Sequence, residues 1–572
     1  VKIWKLAPVD DQAFDDLVRC LSLPKPVVRA LVARHLTTPD TISAFLNPNL
    51  AIVSDPFDLP GMEMATDRIW QAIEAGDPIV IHGDYDVDGI TATALLVHTL
   101  NGLGARRVIP CLPNRLEEGY GLSVGALEKV WPTDLSRGAP LILTADCGTG
   151  AHDAVNWAAQ RGSDVIVTDH HEITGTPASA RVMINPKLYP DSPHANLAGV
   201  GVAFKLCHAL VKRGRQKELG CAQTFDLRRH LDLVALGTIA DVVPLVGENR
   251  ILVTYGLKQL NEAPSVGLQA LTAVARLRPP FQAGQIGFAL APRLNAAGRM
   301  GDPSVALELL LTTDPGRARE LAEILDRSNR VRQETETQIL KDALLRVDGA
   351  FCQNRDFGVI VGGEGWHQGV IGIVASRLSS KYGLPSAVVS FNSEGEGRGS
   401  CRSIAPFDLV KGLTACASHL ESFGGHAMAA GFTVRKDRFD AFCRHFSEVC
   451  RSALQALDLR PIQTLDSWID SPDEMEGILG LLPKLGPFGA GNPEPVWGLR
   501  GVRRLGAPKI LKDKHLKLQI EVQGTSIDAI AFGQGHREVP PNSMDVAFTL
   551  EWNTFYGDQR PQLNIKDFKQ EV

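Results

Sequence analysis

The chain has 572 residues, 44% of them hydrophobic and 22% charged, the balance of a folded protein with buried cores. At about 150 residues per domain, the length implies three or four domains. The composition excludes wholesale disorder, collagen-like repeats and coiled-coil rods, and no apolar run reaches the roughly 18 residues of a membrane span. A net charge of −6 supplies no global basic field that would announce a nucleic-acid partner.

The first 70 residues read as mainly helical and carry no interpretable motif. They open on Val1-Lys2-Ile3-Trp4-Lys5, which lacks the apolar run of a secretory leader. The ten cysteines include no Cys-x-x-Cys pair and suit reduced thiols, so a cytoplasmic protein is expected. From 71 to 313, short apolar runs alternate with helical stretches. The segments 78–82, 141–145 and 165–168 read as buried strands, which predicts a parallel α/β sheet. Residues 314–348 read as one long helix, apolar at both ends and polar from Ser328 to Thr337, as in a strut solvated at its middle. A second α/β block is expected over 349–460, with strands near 358–361 and 387–391. Short alternating runs over 461–572, at 517–522, 527–532, 545–552 and 562–565, predict a small antiparallel barrel.

Ligands of parallel sheets bind outside the carboxyl ends of the strands, and the polar clusters of this chain follow strands. His82-Gly83-Asp84-Tyr85-Asp86-Val87-Asp88-Gly89 sets three carboxylates at alternate positions after the first strand. A calcium loop would need Glu at its twelfth position, which is Leu95 here. Asp146-Cys147-Gly148 follows the second strand, Asp169-His170-His171 the third, and Asp241 lies in Gly237-Thr238-Ile239-Ala240-Asp241. Taken alone, each of the last three reads more readily as structural: Asp146 as a turn residue, His170 as a helix cap, Asp241 as a buried hydrogen-bonded carboxylate. Four at one sheet edge point to a pair of divalent cations with a shared carboxylate. Mixed oxygen and imidazole donors favour manganese. The six aspartates 84, 86, 88, 146, 169 and 241 match the whole net charge, so bound cations would leave the remaining surface free for a basic path.

In that order, these motifs resemble the DHH phosphoesterase superfamily. The resemblance implies one metal held by His82, Asp86 and Asp146 and another by Asp88, Asp146, His170 and Asp241, with Asp146 bridging. It sets His171 against the scissile phosphate and makes Asp84 a ligand or a neighbour of one, so His171, Asp146 and Asp84 are the catalytic candidates. Gly397 to Ser403, with Cys401 where many relatives have alanine, and Gly424-Gly425-His426 resemble the DHH-associated substrate domain, and Pro113-Asn114-Arg115 with Tyr120, the run Arg293-Leu294-Asn295 to Arg299 and Gly486 to Pro493 narrow the resemblance to the RecJ family of single-strand-specific exonucleases.

The resemblance implies a DHH-type parallel-sheet domain joined by the long helix to a DHH-associated α/β domain, then an OB-fold barrel. It implies substrate contacts at Arg115, Tyr120, Arg293, Asn295, Arg299, Arg398, Ser400, Arg402, Ser403, Gly424, Gly425 and His426. The implied activity is 5′→3′ hydrolysis of single-stranded DNA to mononucleotides with two Mn²⁺ or Mg²⁺, in DNA repair and recombination. The implied partners are a single-strand-binding protein and a repair helicase, with the chain a monomer and no membrane involved. Seven Lys/Arg between 500 and 517, Arg503, Arg504 and Lys512 among them, against one acid, fit a strand-tracking barrel with Trp497, Phe532, Trp552, Phe555 and Tyr556 as stacking surfaces. The same run also reads as a solvated charged face. Two alternatives stay open: a phosphodiesterase of short oligonucleotides or cyclic dinucleotides, which would leave the basic barrel without a purpose, and a non-catalytic DNA-binding scaffold, which would need to have lost metal-site carboxylates.

Overall fold

Residues Ile3–Leu6 (β1) find their strand partner near the other end of the chain, running parallel to Ile462–Leu465 with Ile3 opposite Ile462. The computed structural model describes residues 2–114, 119, 121–133, 138–172, 175–189, 191–348, 356–540, 543–553 and 560–570. Helices Asp11–Cys20, Lys25–Val32 and Pro39–Leu46 follow β1. Asp10 and Thr38 cap the first and third by accepting from Ala13 N and Thr41 N. Val27, Val28, Leu31 and Ile42 share one core with Ile478, Trp497 and Phe548. The helical content matches the sequence expectation. The strand and the docking onto the C-terminal barrel do not show in the local sequence, because both partners lie more than 400 positions away.

Strands Ile79–Gly83 (β2), Val108–Cys111 (β3), Leu141–Ala145 (β4), Val165–Thr168 (β5) and Val182–Ile184 (β6) form a parallel sheet in the order β3-β2-β4-β5-β6. β2, β4 and β5 are buried throughout, which is why they read as unbroken apolar runs. Ile79, Ile81 and Leu143 share one core with helices Val87–Gly102, Gly199–Gln216 and Leu231–Ala240. Val80, Ile142 and Val167 share another with helices Val124–Val130 and His152–Ala159. β3 is half-buried at the sheet edge and tolerates Pro110, whose missing N–H costs no ladder bond there. The strand order reverses beside β2, so the crevice forms at the carboxyl ends of β2 and β4.

Helix Pro315–Asp348 has 34 residues. Its amino-terminal half gives Ala318, Leu321 and Leu325 to the first core, and its carboxyl-terminal half gives Ile339, Ala343 and Val347 to the core of the second block. Its polar middle is solvated on one face, where Arg330, Gln333, Glu334 and Thr337 are exposed, and covered on the other. Asn329, Arg332 and Glu336 are buried, with Arg332 donating to Glu336 at 2.8 Å and to Asn329. Arg293 and Arg377, from neighbouring helices, bond Asp326 and Glu336. Polar residues read as solvent-facing when their partners sit on other helices.

The second block is a five-stranded sheet of Val359–Glu364 (β7), Ser386–Phe391 (β8), Glu396–Arg402 (β9), Ser422–Gly425 (β10) and Ala429–Arg435 (β11), ordered β10-β11-β9-β8-β7, with only β7 and β8 parallel. After Ile462–Leu465 (β12) and Ser467–Trp468 (β13), the chain closes a five-stranded barrel of Trp497–Leu511 (β14), His515–Val522 (β15), Thr525–Ala531 (β16), Ser543–Asn553 (β17) and Arg560–Gln570 (β18). The β16–β18 pair is parallel and the other pairs are antiparallel. The 15-residue β14 does not read as a strand. Register shifts between Leu499 and Val502 and between Leu505 and Lys509 break its alternation and let it pair with β17 and then β15. Among the described residues, no helix is long and apolar enough to cross a membrane.

Candidate metal centre

The tips of β2, β4 and β5 and the end of helix Leu231–Ala240 bring the predicted clusters together. After β2, Asp86 caps helix Val87–Gly102, accepting from Asp88 N and Gly89 N. Asp88 is buried and accepts from Gly199 N at 2.6 Å and Val200 N at 2.8 Å, the first amides of the next long helix. After β4, Asp146 takes a positive φ of 66° and lies against Gly199, where a Cβ would fall 2.3 Å from Asp146 Oδ1. Only glycine allows the carboxylate that close to the helix. Asp241 caps the carboxyl end of helix Leu231–Ala240.

Three donor groups result, each with ligand atoms within 4.8 Å of one another: Asp84, Asp86 and Asp146; Asp146, His170 and His171; Asp88, His170 and Asp241. Asp146 and His170 are each shared by two groups. His170 Nε2 lies 3.2 Å from Asp146 Oδ1, 3.6 Å from Asp241 Oδ2 and 3.7 Å from Asp88 Oδ2. His82 is buried at the end of β2, its Nε2 3.2 Å from the Gly121 carbonyl, and belongs to none of the three groups.

The electrostatics are those of a cation site. Burial, then the charges of Asp241 and Asp86, hold the Asp88 carboxyl well above the usual carboxylate range. Burial, then Asp88, Asp86 and Asp84, do the same to Asp146. Burial and Asp86 raise Asp241 to about 7. Burial, then the neighbouring His171, lower His170 to about 4, which keeps it a neutral donor. Among the described residues, Asp146 Oδ1 and His170 Nε2 are buried without a hydrogen-bond partner, and buried polar atoms are rarely left so. Hard carboxylate oxygens with one imidazole are a donor set suited to manganese or magnesium.

Asp169 stands apart from the donor groups. Its carboxylate accepts from Thr149 N and Oγ1, from the amides of His170 and His171, and from His171 Nδ1 at 2.9 Å. These bonds outweigh burial and bring Asp169 down to about 2. Burial opposes the His171 charge, but the Asp169 bond, with Asp241 and Asp84, raises His171 to about 9. Asn185 Nδ2 completes the support by donating to Thr149 Oγ1 and the His171 carbonyl. Sequence reasoning missed Asn185, which lies in no motif, and gave Asp169 no role, although it opens the Asp-His-His run.

The arginines assigned to substrate divide differently. Arg293 is ion-paired to Asp326 at 2.9 Å. Asn295 accepts from Val87 N at 3.2 Å and so holds the acidic loop. Arg299 donates to the Gly369 carbonyl of the second block. On β9, Arg398, Ser400 and Arg402 share the more exposed face. Gly372 packs beside Ser400 and Arg402, so this face adjoins the helix that Arg299 grips. Arg402 donates to Ser400 Oγ at 3.2 Å, and Ser403 Oγ donates to the Phe407 carbonyl. Ser400 lies opposite Gly431, and Gly431 opposite Gly424, while Gly425 and His426 turn the chain back into β11, His426 N donating to Ala429 O. In the barrel, Arg503 is ion-paired to Glu521 at 2.6 Å. Arg504 and Lys512 have no ion pair among the described residues. Trp497 is fully buried in the core rather than a stacking surface, because its side chain points inward on β14, whereas Phe532 and Trp552 are exposed. Arg115, Tyr120, Phe555 and Tyr556 lie outside the described residues.

Residues 78–238 match the DHH family, N-terminal domain, residues 356–452 the DHHA1 domain and residues 466–567 the RecJ OB domain. The chain is 40% identical to the single-stranded-DNA-specific exonuclease RecJ of Dickeya dadantii over 89% of this chain and 90% of that protein. The chain belongs to the RecJ family. Two crystal structures of RecJ from Thermus thermophilus superpose on it: one in complex with Mn²⁺, with a TM-score of 0.82 and 31% identity over 100% of this chain and 80% of the other, and one in complex with Mg²⁺, with a TM-score of 0.77 and 30% identity over 100% and 79%. The expected fold, a metal-dependent nuclease of DHH, DHH-associated and OB domains in that order, is that of the RecJ family.

Proposed function

We propose that the chain hydrolyses single-stranded DNA from the 5′ end, releasing mononucleotides, at a centre holding two divalent cations, and that it acts in DNA repair. The observation that carries this reading is the sharing of Asp146 and His170 among the three donor groups. Shared donors are what two neighbouring cations require, and such a pair activates a water and stabilises the departing oxygen of an in-line displacement. Asp84, Asp86 and Asp146 would hold one cation. Asp88, His170 and Asp241 would hold the other, with Asp146 reaching both.

Asp169 fixes the His171 ring and its proton, so that His171 faces the scissile phosphate. Asn295 holds the acidic loop in register. Arg398, Ser400 and Arg402 offer guanidinium and hydroxyl donors to phosphates of the bound strand. Exposed Phe532 and Trp552, with Arg504 and Lys512, give the barrel stacking surfaces and cations for the strand beyond the site. A single-strand-binding protein and a helicase, which expose and stabilise such strands, are the partners this substrate calls for.

Single strands labelled at either end, digested with the purified protein and Mn²⁺, test the reading. The 5′ label should appear at once as mononucleotide while the 3′-labelled strand shortens progressively. Release of the 3′ label first, cleavage confined to di- and trinucleotides, or equal attack on blunt duplex would contradict it.

A further inference from the structure

We infer that the loop from Gly486 to Pro493, which leads into the barrel, is a brace that positions Asp241 in the metal centre. The inference rests on Asp241 serving as a ligand in the proposed two-cation site. Directly after Asp241, Val242 takes a φ of +61° and is 68% exposed. A β-branched residue in the left-handed region is strained, and such a conformation persists only where the surroundings impose it.

The surroundings here are the brace. Leu245 N donates to the Ala490 carbonyl at 2.7 Å. Gly491 lies so close that a Cβ would fall 2.8 Å from Pro244 Cβ, and a Cβ on Gly489 would fall 2.8 Å from Leu245 Cδ1. From the other side, Asn249 donates to the Pro244 carbonyl at 3.0 Å. The turn 242–245 is thus gripped on two sides one step beyond the ligand.

The brace is itself rigid. Asn492 is buried and donates to the carbonyls of Leu485 and Pro487, both at 2.9 Å. Arg34, from the N-terminal helices, donates to Asn492 Oδ1, Asp466 and the Pro493 carbonyl. Arg250, a few residues past the turn, donates to the carbonyls of Lys484 and Leu485. The segment joining the barrel to the body therefore positions a ligand of one cation. The carboxylates proposed for the other, Asp84, Asp86 and Asp146, are carried instead by the loops that follow β2 and β4.

The test is Mn²⁺ binding to the full chain by calorimetry, which needs no turnover. Gly491→Ala should weaken one of two Mn²⁺ sites by about tenfold or more, as loss of a supporting contact does, and leave the other unchanged. Val242→Gly added to it should recover most of the loss, because glycine adopts that φ without strain. A folded Gly491→Ala protein that binds both ions like the wild type, loses both equally or is not rescued by Val242→Gly overturns the brace. Gly489→Ala, which presses only on the Leu245 side chain and has an ordinary φ, is read in the same way should Gly491→Ala not fold. A wild-type protein that binds fewer than two Mn²⁺ would instead overturn the two-cation reading itself.

Discussion

Asp146 and Asp169 differ by what surrounds them more than by what they are. Asp146 is buried among carboxylates, with an oxygen that finds no hydrogen bond among the described residues, whereas Asp169 is buried among five donors. Asp146→Ala should therefore lower cleavage more than about 100-fold, beyond the loss expected for an outer-shell partner, while binding of single-stranded DNA in EDTA stays near the wild-type level. Cleavage within tenfold of wild type would deny Asp146 the shared position. Asp169→Asn should leave both Mn²⁺ sites intact and lower kcat by about 10- to 100-fold through a misoriented His171. A change confined to KM would show that Asp169 does not act through that ring.

Helix Gly247–Glu262 begins with a carboxylate whose state can be followed by pH. Burial opposes the Glu248 charge, but contacts from His194, Lys205 and the Ser54 side chain bring it down to about 2. A carboxyl with a depressed folded pKa stabilises the protein above its unfolded value and loses that contribution as pH falls through the folded one. Glu248 should thus contribute on the order of 2 kcal/mol at neutral pH, lost between about pH 4.5 and 2. Glu248→Gln should lower the melting midpoint at pH 7, leaving buried Lys205 without its counter-charge, and flatten the acid limb. An unchanged midpoint would mean the cluster is neutral to stability.

In the strut, Glu336→Ala should likewise leave the buried Arg332 unpaired and cost about 3 kcal/mol, seen as a lower unfolding midpoint. No shift would return the helix middle to the solvated face that its sequence suggests. The elements themselves were unevenly legible. β2, β4 and β5 are buried on both faces, so their runs announce them, and their acidic tips announced the metal centre. β1, β14 and the covered face of Asn329, Arg332 and Glu336 on helix Pro315–Asp348 were not legible, because a partner near the other end of the chain, two register shifts and buried ion pairs leave no local periodicity. The Asn295 contact to Val87 was hidden for the same reason, since it joins residues far apart in sequence.

Across the whole molecule, a chain of contacts links the acidic loop after β2 to the face of β9 proposed to meet the bound strand: Asn295 to Val87, Arg299 to Gly369, and Gly372 beside Ser400 and Arg402. The barrel joins from the other side through the loop at Ala490. Its basic run is not uniform, because Arg503 is spent on Glu521 while Arg504 and Lys512 have no ion pair among the described residues. Neutralising Arg504 and Lys512 should reduce the salt slope of single-strand binding by about 1.4, at roughly 0.7 per contact, and neutralising Arg503 alone should not. An unchanged slope for the pair would make the run a solvated face.

The central claim, that shared donors hold two cations, is tested most directly by anomalous diffraction from Mn²⁺-loaded crystals. The account predicts two peaks flanking Asp146, one among Asp84 and Asp86 and the other among Asp88, His170 and Asp241. A single peak, or peaks away from Asp146, would contradict it.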